Sequence, residues 1–173
     1  MQGLRSRLLL ASIAALSCGA VGAHGDQRDD DRAKARLSSF EEVPALSSVA
    51  LARFDAKLAA GSFTYELSYR GLESDATQAH IHFGQKSVNG GIVVFLCSNL
   101  GNGPVGTQAC PLRAGTISGT ITPDSVIGPA GQGISTGQYD EFLRAMRAGI
   151  TYANVHSVTF PGGEVRGQIH TDD

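Results

Sequence analysis

The sequence predicts an all-β domain, an antiparallel Greek-key-like sandwich or barrel, with one short helix near residues 138–148. Three observations predict it. Short segments alternate apolar and polar residues with period two. Turn-forming Gly and Pro-Gly sequences punctuate them. Glycine supplies 22 of 173 residues, and each interior glycine costs a helix about 1 kcal/mol, which excludes a long helical bundle. An apolar content of 42% with a net charge of −2 excludes disorder throughout. A pI of 6.2 leaves no basic footprint for nucleic acid.

The first 23 residues are a leader rather than part of the fold. Arg5 and Arg7 precede an apolar run from Leu8 to Leu16, and Val21-Gly22-Ala23 supplies a small-x-small exit. That pattern is a secretory signal peptide, and the run is too short to span a bilayer. Cleavage after Ala23 removes two arginines and no acid, taking the formal charge from −2 to −4. The expected location is secreted or periplasmic, with no membrane span left after cleavage. Acylation of Cys18 is the weaker variant, because Ala15 stands where a lipobox prefers Leu. Residues 24–35 are densely charged and read as a flexible arm. His24, as a new N-terminus, offers an amine and an imidazole to copper.

The domain is then expected over residues 36–170. Ala50–Ala59 and Ser62–Tyr69 alternate on either side of Ala60-Gly61, which predicts a β-hairpin. Gln78–Phe83 alternates as well. Gly91–Cys97 is continuously apolar and reads as a strand covered on both faces. Ala114–Ile121, Ile150–Val158 and Gly163–His170 complete the set, with Pro161-Gly162-Gly163 turning between the last two. Tyr139, Phe142, Leu143 and Met146 recur at helical spacing. Ser135 with Gln138 fits a capping box, and Gly149 fits the C′ position. The exported pair Cys97 and Cys110 reads as a disulfide across a Gly- and Asn-rich loop.

Few residues carry chemistry. Gly133–Gly137 matches G-x-S-x-G, but no strand precedes Ser135 and no βα alternation surrounds it, so an esterase elbow is excluded. No other catalytic set stands out, and the reading is non-enzymatic. His80 and His82 lie two apart in a strand and share a face. Imidazole pairs of this kind suit copper or zinc. His156 and His170 are further candidate ligands. The bland alternative is that these histidines hydrogen-bond between strands. Glu164 and Arg166 also share a face, and there a structural ion pair is expected, of Arg166 with Glu164 or with an acid on a neighbouring strand, with ligand binding as the other reading.

Several segments in order resemble the CHRD domain family, the module repeated in chordin and found singly in exported bacterial proteins. They are Phe40–Pro44, Tyr65-Glu66-Leu67, Gly71-Leu72, Ala79–Gly84 with Asn89-Gly90, Ala148–Ser157, and Pro161–Ile169. The resemblance implies a β-sandwich fold. It is also similar to copper/zinc superoxide dismutase in its H-x-H strand and sandwich architecture, without that family's histidine- and aspartate-rich zinc loop. Two functions follow as expectations. The first is a secreted binding or structural module for an unknown protein or envelope ligand. The second is a copper- or zinc-binding protein, with redox activity as an option.

Overall fold

A computed structural model describes residues 31–172. The expected leader, Cys18 and His24 lie outside them, as does most of the expected arm. Nine strands and one helix follow in chain order: β1 Arg32–Ser38, β2 Leu51–Ala59, β3 Ser62–Arg70, β4 Ala76–Phe83, β5 Gly91–Ser98, β6 Gly115–Ile121, α1 Tyr139–Arg147, β7 Thr151–Ser157, β8 Val165–Gln168 and β9 His170–Thr171. All pairings are antiparallel, in the order β5-β4-β7-β8-β1-β2-β3-β6, with β9 beside β1. The sheet curls into a nearly closed barrel. Side chains bridge its two edges: Tyr65 donates to Leu96 O at 2.7 Å, and Gln108 donates to Tyr65 Oη and Ser118 O. The all-β expectation holds.

The domain starts earlier than the sequence suggested. Residues 32–35, assigned to the arm, are the first half of β1, every residue of which pairs with β2. Ala33, Ala35 and Leu37 point inward, while Arg32, Lys34 and Arg36 point out. Alanine fills the inward positions, so the alternation is small against charged and is hidden by charge density.

The hairpin of β2 and β3 forms as expected, pairing Leu51 with Arg70 through to Ala59 with Ser62. Phe54, Phe63, Leu67, Ile81, Val155 and Ile169 lie fully buried inside the barrel. β5 is an edge strand, yet Val93, Val94, Leu96 and Cys97 are all buried. Two register shifts against β4 allow this. Ile127 N–H also donates to Val93 O from the segment lying over the edge.

The helix closes one end of the barrel. Phe142 packs against Phe63 with ring centroids 5.8 Å apart, and Tyr139 donates to Ala59 O. Its start departs from the expected capping box. Gln138 is the N-cap, and only half of the reciprocal pair exists, from Ser135 N–H to the Gln138 side chain. Its end matches. Gly149 adopts φ +68°, Gly149 N–H bonds Met146 O, and Ile150 N–H bonds Ala145 O. This is the Schellman arrangement that favours glycine at C′.

Cys97 and Cys110 are bonded, with Cα atoms 5.1 Å apart. The bridge ties the end of β5 to the loop before β6. Closing a loop of this length stabilises a fold by about 3 kcal/mol in the chain-entropy view. The double variant Cys97→Ser/Cys110→Ser is predicted to lose roughly that amount in urea unfolding, with a slope as steep as the parent's or steeper, because its unfolded chain is freer to expand. An unchanged midpoint would show that the bridge adds nothing.

Candidate metal centre

The site follows from strand parity. On β4, β7 and β8 the odd-numbered residues Ala79, Ile81, Ala153, Val155 and Val165 fill the core, joined by Ile169 just past β8. The even-numbered residues therefore point to the other face. Register sets them in rows: His82 opposite Tyr152 and Gln168, His80 opposite Asn154 and Arg166, and Gln78 opposite His156. This outer face is polar, and most of it is buried.

Loops cover it, and its own side chains hold them there. Arg166 donates to Gln85 O, to Val88 O at 2.8 Å and to Asn89 Oδ1. His82 Nδ1 meets Gly90 O at 2.9 Å, and His156 Nδ1 meets Pro161 O at 2.9 Å. Glycine is required at position 90, because a Cβ there would sit 1.7 Å from Phe83 O. Glu164 accepts from Ser48 Oγ at 2.7 Å and from Glu73 N–H at 2.9 Å.

Three of the four candidate histidines come together. One ring nitrogen from each of His80, His82 and His156 lies within 4.8 Å of the others. His80 Nδ1 approaches His156 Nε2 at 3.2 Å. A carbonyl oxygen only accepts, so His82 and His156 each carry their proton on Nδ1. That leaves the Nε2 lone pair of His82 without a partner and turns that of His156 toward His80 Nδ1. His80 Nε2 and His82 Nε2 are buried without a hydrogen-bond partner. Phe95 packs edge-on against His80 at 4.4 Å. Tyr152 lies parallel to His82 at 4.8 Å, and the Arg166 guanidinium covers the Tyr152 ring at 3.4 Å.

Two expectations fail. His170 is exposed on β9, opposite Lys34 of β1, and does not join the cluster. The two-residue β9 leaves the β8 line to pair with β1, which carries His170 away. Glu164 and Arg166 do not pair. Each is buried and spends its charge on a different set of loop groups. The carboxylate that feels Arg166 is Glu42, whose burial pushes it up to about 7 against the pull of that guanidinium. Tyr152, Asn154 and Glu42 were not singled out from sequence. The first two continue the alternation of His156 and could have been found from it. Glu42 sits outside any strand and gives no periodic signal. Ser135 is exposed, and its carbonyl accepts from Gln138 N–H in the turn before the helix.

The comparison with protein families decides the relationship. The CHRD domain model matches residues 33–169. The chain belongs to the CHRD domain family. The match begins inside β1 and ends at Ile169, so it takes in all three clustered histidines of this CHRD domain. No curated protein and no solved structure matches the chain. No helix among the described residues of the CHRD protein is long and apolar enough to cross a membrane.

Burial keeps the cluster neutral. It pushes His80 down to about 2 and His82 down to about 4, and it lowers His156 as well. Unfolded, all three titrate near the ordinary 6.5. Below that pH the unfolded chain takes up protons that the folded chain refuses, so stability falls as pH falls. Glu42 acts oppositely between its ordinary 4.5 and about 7, where the fold retains the extra proton. Three imidazoles outweigh one carboxyl. The metal-free protein is predicted to melt at progressively lower temperature from pH 6.5 down to 4.5, and His82→Gln is predicted to flatten that slope. Parallel slopes for parent and variant in thermal melts would contradict this assignment.

Proposed function

We propose that this CHRD protein is an exported, non-enzymatic metal-binding protein holding one copper ion through His80, His82 and His156. The observation that carries the reading is the convergence of three buried neutral imidazoles, two of them oriented by Nδ1–H bonds to backbone carbonyls. Metal-bound histidines commonly use their second nitrogen in this way. The orphaned Nε2 atoms of His80 and His82 fit a group that accepts lone pairs. A hydrogen-bonded structural cluster would have paired them.

The donor set favours copper. Imidazole suits copper and zinc alike, and affinity generally rises to copper and falls again at zinc. No carboxylate belongs to the cluster, so the ligands do not neutralise the metal's charge. Burying one uncompensated charge costs less than burying two, which favours Cu(I). His80, His82 and His156 need no deprotonation at neutral pH, so protons do not compete with the metal there. The leader pattern and the disulfide support export.

The test is retention of metal. The protein is loaded with Cu(II), with Cu(I) under a reductant, or with Zn(II), then dialysed and assayed for metal. The parent is predicted to keep stoichiometric copper, more tightly than zinc. His80→Ala/His82→Ala is predicted to lose it, and His170→Ala to keep it. Circular dichroism checks that each variant is folded. Weak binding that is the same in every folded variant overturns the reading.

A further inference from the structure

We infer that the outer face of β1, β2 and β3 docks on an anionic lipid surface, independently of the metal centre. Two observations on one face point there.

The first is charge. Arg32, Lys34, Arg36, Arg53, Lys57 and Arg70 all project from the outer face of these strands, against the carboxylates Asp55 and Glu66. The chain as a whole is acidic, with net charge −2, so this face stands apart from the rest. Register gathers three of the arginines. Arg36 lies opposite Arg53, and Arg70 lies opposite Leu51 in the next row. A shallow groove runs between these four residues. Asp55 engages Arg53, and Asp172 engages Lys34. Arg36, Lys57 and Arg70 make no ion pair with a described residue.

The second is apolar exposure at the same end. Leu51 is 45% exposed between Ser38 and Arg70, and Phe40 and Val49 are 74% and 84% exposed. Phe40 and Val49 stand two residues beyond the Ser38–Leu51 pair, Phe40 in the single 3-10 turn that follows β1 and Val49 in the segment that leads into β2. Ser39 holds that extension together, its hydroxyl donating to Ser48 O and its carbonyl accepting from Leu46 N–H.

Large apolar side chains contiguous on a surface mark an interaction site. A soluble polyanion would satisfy the arginines and leave Val49 and Leu51 in water. An anionic bilayer satisfies both. Its headgroups attract each basic residue by roughly 1 kcal/mol near the surface, and its acyl boundary takes the apolar tip. Docked this way, Phe40, Val49 and Leu51 enter the interface, with Arg36, Arg53 and Arg70 at phosphate level.

The test uses the protein as exported by the expressing cell, with its N-terminus read by mass spectrometry. Cosedimentation is measured with vesicles of phosphatidylcholine alone and of phosphatidylcholine with phosphatidylglycerol. Binding is expected to the anionic vesicles only, and to weaken with added salt. Arg36→Glu/Arg70→Glu is expected to weaken it at least about tenfold, and Phe40→Ser/Val49→Ser severalfold. These exposed positions leave circular dichroism unchanged. Equal binding to both vesicles, or variants that bind like the parent, overturn the proposal. So does retention on heparin without vesicle binding, which would mean a polysaccharide occupant. Self-association that hides the face, or binding that appears only when residues 24–30 are deleted, also overturns it.

Discussion

The structure depends on one constraint: a polar sheet face has been buried, and its side chains must satisfy the loops that bury it. Covering segments turn backbone carbonyls toward that face, where they need donors. Arg166, His82 and His156 supply those donors to residues 85, 88, 90 and 161. Glu164 supplies the acceptor for Ser48 and Glu73. Loops and strand side chains therefore fold as one unit. Removing Arg166 would take the donor from two loop carbonyls and uncover Tyr152 together.

The same arrangement fixes the histidines. Arg166 stacks on Tyr152, and Tyr152 stacks on His82. Bonds to Gly90 O and Pro161 O set the tautomers of His82 and His156. Orientation is thus settled before any ligand arrives, which lowers the ordering cost of binding. What the loops leave unsatisfied is informative. The buried orphans include two imidazole nitrogens in the cluster, and Asn154 Oδ1 and Glu42 Oε1 from the same polar layer. Native interiors rarely leave such groups unpaired.

Much of this was legible in the sequence, and the gaps have physical causes. The hairpin, the helix face, Gly149 and the disulfide all follow from local rules, and all are present. The His-x-His pair follows from strand parity. Its meeting with His156 does not, because the register of β4 on β7 is a long-range choice. The beginning of β1 was missed because alanine carries little hydrophobic signal beside Arg32, Lys34 and Arg36. The fate of Glu164 and Arg166 was misjudged for a related reason. Proximity in sequence suggested a pair, whereas burial under three loops gave each more hydrogen bonds elsewhere. His170 looked like an equal of the others, but a two-residue strand on β1 carries it to the surface.

On the proposed function, the buried layer presents three imidazoles to one metal ion. X-ray absorption at the copper edge on the loaded protein tests it most directly. A first shell at about 2.0 Å with multiple scattering from three imidazoles is expected, reduced by one in a folded His82→Gln variant. A shell dominated by oxygen, or one unchanged when His82 is replaced, would contradict it.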